Sequence, residues 1–353
     1  MSFDSEYLLT FLESILKTPS PSGFTHLAIN KVKKEAESLG YATELTPKGC
    51  LLISIPGQQT NSKRAVALSA HVDTLGAMVR SIKSKGTLRY TSIGGFTHQS
   101  VEGEYCQIFT RDGKIYTGTI LNTEPSVHVF EKAGKQERTE ANMEIRLDEK
   151  VSSKKEVQEL GIQVGDFIAF NSRTIITAQK FVKSRHLDDK ASVAILMGVM
   201  ERLAREKAKP LHNTIILIST YEEVGHGASY LPSEADEMLA VDMGAIGDDL
   251  QTTEYVVSIC AKDSSGPYDY ELTGHLTRLA KEQDIDYAVD IYPHYMSDAS
   301  AAFRAGANIR AALVGPGIHA SHGLERTHLD GLMNTARLVW AYLMTPRQIP
   351  GQE

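Results

Sequence analysis

Apolar side chains recur at helical spacing near the start of the chain, at Leu8, Leu9, Leu12, Ile15 and Leu16, and predict a helix over residues 5–17. Pro19-Ser20-Pro21-Ser22-Gly23 stops it, and a second helix is expected from His26 to Leu39, ending at Gly40. Strands are expected at 41–46, 51–55 and 65–70. The last of these reads AVALSA and is apolar enough to be covered on both faces, as in a parallel or mixed sheet. Between about Thr74 and Lys180 the helical period nearly disappears. Short β-type runs at 105–110, 114–120, 167–170 and 174–177 alternate with turn signals such as Gly94-Gly95 and Asp112-Gly113, and predict a small inserted β domain. One helix interrupts it, opened by the capping-box pattern Ser153–Glu156 and closed at Gly161. After Lys180, strand and helix alternate again. A long apolar stripe predicts a helix over 189–207, strands are expected at 214–219, 239–241, 255–261, 286–292 and 310–314, and a last helix near 329–343. The pattern is α/β: a mixed sheet sandwiched by helices, residues 1–74 and 181–353, interrupted by a β insert over 75–180.

Composition narrows the function without choosing it. The 353 residues carry a net charge of -7, with 42% hydrophobic and 23% charged positions. No basic face favours a nucleic-acid partner. No apolar run approaches the ~20 residues that a membrane span needs. The acidic, amphipathic start does not resemble a secretory signal. Three scattered cysteines, Cys50, Cys106 and Cys260, predict neither a zinc ribbon nor a disulfide framework, and a reducing cytoplasm is the expected compartment.

Chemistry is expected where the strands end, because ligands of α/β sheets bind beyond the carboxyl ends of strands. The strand at 65–70 runs into His71-Val72-Asp73, that at 214–219 into Glu222-Glu223, and that at 239–241 into Asp242. Asp188 precedes the helix at 189–207, and His319 and His322 follow the strand at 310–314. Each has an ordinary structural explanation: a satisfied histidine, a turn cap, acids favoured at a helix N-terminus, a solvated acidic pair. An acid flanked by apolar residues, as Asp242 is, is harder to place without a partner. Together they share one physical cause, a divalent metal held by imidazole and carboxylate.

The count points to two ions. Asp188, Glu223 and Asp242 bring -3, two ions bring +4, and a shared hydroxide closes the balance. Two metals ~3.5–4 Å apart are a device for hydrolysis. Adjacent residues near a strand end point apart, so Glu223 can face the metals while Glu222 faces the water as general base. The spacing His71-x-Asp73 suits a carboxylate that orients a ligating histidine. His226 is expected to touch substrate or cap its turn, and Ser297-Asp298 to cap a helix or shape the pocket. There is no P-loop, no HExxH and no GxSxG.

Taken in order, His71-Val72-Asp73, Leu187-Asp188-Asp189-Lys190, Glu222-Glu223-Val224-Gly225, Asp242 and a late histidine resemble the glutamyl/deblocking aminopeptidases, which include the tetrahedral dodecameric enzymes. The resemblance extends into the insert at Gly94-Gly95, Arg146-Leu147-Asp148 and 153–166. It implies a zinc-peptidase-like α/β domain with a PDZ-like β-barrel inserted after the first ligand. It implies a co-catalytic pair of divalent ions, Zn or Co or else Mn, with His71 and Asp242 on one, Glu223 and His322 on the other, and Asp188 bridging. It also implies a cis Asp188–Asp189 peptide, Glu222 as base, dimer contacts through the insert, and a homo-oligomer that acts on short peptides. The family's last ligand stands in Tyr-x-His-Ser-x-x-Glu, whereas this chain reads GIHASHGLERTH. The string around His322 resembles a less-studied branch, and His319 is the alternative. The expected function is therefore a metallo-aminopeptidase. A deacylase or dipeptidase for modified small peptides of osmoprotectant type, an endoglucanase-type glycosidase and a noncatalytic metal-binding protein are the competing expectations.

Overall fold

The computed structural model describes residues 2–59 and 65–346. Its centre is a ten-stranded sheet. Four parallel strands form the middle, in the order Asn213–Ser219, Ala65–His71, Ala235–Val241, Arg310–Ile318. Leu51–Ile55 extends one side and Val257–Asp263 the other, both antiparallel to their neighbours. The strand Ala65–His71 is buried along its whole length, as its sequence predicts.

Alternation along that strand builds two cores. Val66, Leu68 and Ala70 join the larger cluster, which holds the helices Ser5–Leu16, His26–Ser38, Leu187–Glu206, Tyr270–Glu282 and Leu329–Met344. Ala67 faces the opposite cluster, with Met238, Leu313, Ala299 and Ala302, the last two on the short helix Asp298–Arg304. Helices thus cover both faces of a mixed sheet, in line with the expectation from the sequence.

The region predicted as a β insert closes on itself. Six strands form a barrel in the order Gly76–Ile82, Leu88–Ile93, Met143–Leu147, Ile115–Asn122, Tyr105–Phe109, Phe167–Phe170. Its own core includes Val79, Leu88, Tyr90, Ile108, Ile120, Ile145 and Ile168. The predicted capping box is present: Ser153 and Glu156 bond each other's backbone and start the helix Lys154–Glu159. One strand pairs elsewhere. The run expected at 174–177 is Ile175–Ile176, and it joins Phe181–Ser184 and Glu325–His328 in a separate three-stranded sheet. An apolar run shows that a strand forms but not which sheet it joins. The three cysteines are buried and free.

Candidate metal centre

Sheet register brings the first residues together. Ser69 pairs with Ala240, so the chain two residues on places His71 beside Asp242. His71 also pairs with Ser219, three residues before Glu222. The backbone of Asp242 is fixed by its N–H bond to Val314 O, 2.9 Å, and by close approach of the facing strand. A Cβ at Gly315 would lie 1.7 Å from Asp242 O, so only glycine fits there.

The helix Leu187–Glu206 supplies the next residues. Its first turn is irregular at Asp188 and Asp189, whose joining peptide is cis. Asp188 is buried between two histidines: its Oδ1 lies 3.1 Å from His71 Nε2 and its Oδ2 lies 3.4 Å from His322 Nε2. A glutamate accompanies each ring. Glu222 Oε2 is 3.7 Å from His71 Nε2, and Glu223 Oε2 is 3.5 Å from His322 Nε2. Ligand atoms of His71, Asp188 and Glu223 lie within 4.8 Å of one another, and so do those of His71, Asp189 and Asp242.

The electrostatics are those of anions crowded away from water. Burial raises Glu222 and Glu223 well above the usual carboxylate range, with help from neighbouring acids. Burial, then the charge of Asp188, pushes Asp242 up to about 7. Burial opposes the charge on Asp188, but hydrogen bonds to His322 and His71 hold its carboxyl below its ordinary value. Burial would lower both histidines, yet Asp188 raises them, His322 to about 10. Such a set holds protons unless cations replace them. Asp189 adds a local sign of the same need: its Oδ2 accepts the His71 N–H at 3.1 Å, while its Oδ1 is buried without a partner. Imidazole nitrogen and carboxylate oxygen are the donors that zinc-like ions take. The residues fit divalent metal.

Of the two candidate histidines, His322 reaches this cluster. His319 is exposed and pairs its backbone with Arg326. Asp73 departs from the expected geometry. The strand ends at His71, so Asp73 no longer shares its face. His71 Nδ1 bonds the Asp73 carbonyl oxygen at 2.9 Å, and the carboxylate is farther, at 3.5 Å. That carboxylate also accepts the Ser22 hydroxyl at 2.5 Å and the N–H groups of Glu222 and Glu223 at 3.1 and 3.3 Å. It holds the acidic pair in place from below.

The His226 ring stacks on Tyr221, 4.9 Å between centroids, and the His226 backbone N–H closes the turn on Tyr221 O. Ser297 caps the helix Asp298–Arg304. The Asp298 carboxylate accepts from Ser219 Oγ and the Ala228 N–H, bracing both ends of the Glu222–Glu223 loop. Sequence reasoning did not assign to the site Ser22, which donates to Asp73, Glu325, which accepts the Asp188 N–H, or Tyr295, whose hydroxyl donates to the Met243 carbonyl beside Asp242. Their links run through backbone atoms or across long stretches of chain, and leave no local pattern. Asp189 was legible only as half of the unusual dipeptide.

The cluster floors a cleft of about 860 Å³, walled by Leu250, Tyr295, Met296, Ser300 and Arg304. A second cavity, about 680 Å³ beside the barrel, has one carboxylate in its lining, Asp148, and no such cluster. The profile of the M42 glutamyl aminopeptidases matches residues 49–338. The chain belongs to that family. A putative aminopeptidase, YhfE, of Bacillus subtilis (strain 168) is 51% identical over 339 residues, 96% of this chain and 97% of the relative. The glutamyl aminopeptidase of Lactococcus lactis subsp. cremoris is 29% identical over 67% of this chain and 66% of its own length. The TET1 peptidase of Pyrococcus horikoshii, described as assembling into a tetrahedron or a large octahedral shell, superposes with a TM-score of 0.82 at 22% identity, covering 96% of this chain and 99% of the other. The M42 protein is a peptide hydrolase of the aminopeptidase type.

Proposed function

We propose that this M42 peptidase removes N-terminal residues from short peptides with two divalent ions, Zn or Co or else Mn. His71 and Asp242 would hold one ion, Glu223 and His322 the other, and Asp188 would bridge. The observation that carries this reading is Asp188, whose two oxygens each face a different imidazole, 3.1 and 3.4 Å away. When bound, the ions supply positive charge to the peptide carbonyl and make water more acidic.

The protein's own groups then divide the work. Glu222, held by its backbone N–H on Asp73, takes the proton of the attacking water at its carboxylate and returns it to the leaving amine. Leu250, Tyr295 and Met296 line the cleft in which the peptide would lie. Adjacent glutamates do not flank a sugar as the paired carboxylates of glycosidases do.

The likeness to a peptidase described as assembling into a tetrahedron or a large octahedral shell supports a homo-oligomer, a dimer or a tetrahedral dodecamer, and the family resemblance puts the barrel at the dimer contact. No described helix is long and apolar enough to cross a membrane, and three free thiols agree with a cytoplasmic setting. A digest of a peptide library in Zn, Co and Mn, with and without chelator, tests the function. Stepwise release of N-terminal residues that chelator abolishes is expected. Internal cuts, or full activity in chelator, contradict it. Preference for acetylated dipeptides over free amines would move the substrate to the deacylase reading.

A further inference from the structure

Glu325 has no part in the chemistry above, yet it is buried beneath the cluster. Its position follows from register. Glu325 pairs with Ser184, four residues before Asp188, at the edge where the chain enters the irregular helix start. From there its two oxygens divide between two site residues: Oε2 accepts the Asp188 N–H and Oε1 the His322 N–H, each at 3.1 Å. His322 needs such support, because its backbone is left-handed, φ 63°. Its ring is held from the other side by the barrel: Nδ1 donates to the Gly95 carbonyl. The Gly94-Gly95 turn is fixed in turn, with Gly94 at φ 75° and a Cβ there only 2.5 Å from Leu75 Cδ2. Arg185 ties the same parts together, reaching Glu104 and Ser100 of the barrel region and, at 3.2 Å, the Gly323 carbonyl next to His322.

We propose that Glu325 is a positioning residue that joins Asp188 to His322 and, with the barrel's Gly95 carbonyl, sets the affinity of the second metal position. The inference rests on the dinuclear reading. A carboxylate gripping two N–H groups makes charge-assisted bonds. Glu325→Gln would turn an amide NH2 toward one of those N–H donors, leaving two donors face to face. Outer supports of this kind tune metal affinity by ~10–100-fold. His71 and Asp242 are set by sheet register, and only the Asp188 N–H links the first position to Glu325, so that position weakens less than the second.

The test is metal stoichiometry and affinity by mass spectrometry of the dialysed whole chain, with Co(II) absorption as the spectroscopic signature. Wild-type protein is expected to take up two ions. Glu325→Gln is expected to weaken the first ion less than the second, to bind the second ~10–100-fold more weakly, and to lose the second set of Co(II) bands at sub-saturating metal. Glu325→Asp keeps the carboxylate but shortens its reach to the two N–H groups; it should weaken the same ion to a smaller extent, which keeps the question decidable if Glu325→Gln does not fold. Two ions at wild-type affinities in the folded variants, or equal weakening of both, would overturn the proposal. A wild-type chain that takes up fewer than two ions overturns the dinuclear reading itself, and this inference with it.

Discussion

The two halves of the candidate centre are built in different ways. His71 and Asp242 stand at the ends of neighbouring parallel strands, and both are nearly inaccessible. Ladder hydrogen bonds fix them, and their orientation needs little beyond the sheet. Glu223 sits in a short turn after its strand, and His322 in a left-handed loop with a side chain 40% exposed. Those two are held by carboxylates and carbonyls from elsewhere: Asp73 under Glu223, Glu325 and Gly95 around His322. A sheet can therefore place half of a cluster almost for free, while the other half depends on contacts between distant segments, including the barrel. The sheet-built half should bind metal first and tolerate changes in its surroundings, and the loop-built half should be the labile one.

Asp188 belongs to both halves, so Asp188→Asn should have the largest effect. Peptidase activity falls to background and neither ion is held tightly, as read by metal analysis after dialysis; one firmly bound ion in this variant would mean that Asp188 does not join the halves. Next comes Glu222→Gln, expected to lower kcat by ~10²–10⁴-fold while both ions remain bound. Unchanged turnover would remove Glu222 from its role as base. His71→Ala against His322→Ala compares the halves directly. The first should abolish tight binding of the first ion, and the second should leave one ion bound and stop turnover. Asp73→Asn acts on the loop-built half through the glutamate turn, with a kcat loss of about 10–100-fold. Ser22→Ala, which removes one hydroxyl from Asp73, should be smallest, costing about 1 kcal/mol in a thermal melt.

The same contrast explains what could be read in advance. His71, Asp188, Glu222, Glu223 and Asp242 were legible because each follows an apolar run or opens a helix, and strand ends are where sheet proteins collect ligands. The choice of His322 over His319 came from resemblance, since spacing alone left both open. The structure separates them, for one faces Asp188 and the other the surface. The Asp73 carboxylate was assigned to His71 on the assumption that the strand continued through it. The strand stops two residues earlier, and the group, 3.5 Å from His71 Nδ1, bonds the glutamates' N–H groups as well. Gly94-Gly95 showed as a turn and Glu325 as one letter of the string after His322, but neither showed its role, because a carboxylate or carbonyl reaching another segment leaves no local pattern. The barrel was visible as a series of short strands, but Ile175–Ile176 was drawn into it by sequence proximity and in fact pairs with Phe181–Ser184.

The central claim is that five side chains from five separate segments hold two ions side by side. Anomalous diffraction from crystals soaked in zinc, with data collected at the zinc edge, tests it most directly. The account predicts two peaks, ~3.5–4 Å apart, one touching His71 and Asp242, the other His322 and Glu223, with Asp188 reaching both. A single peak, or peaks that leave either histidine without a metal neighbour, would contradict it.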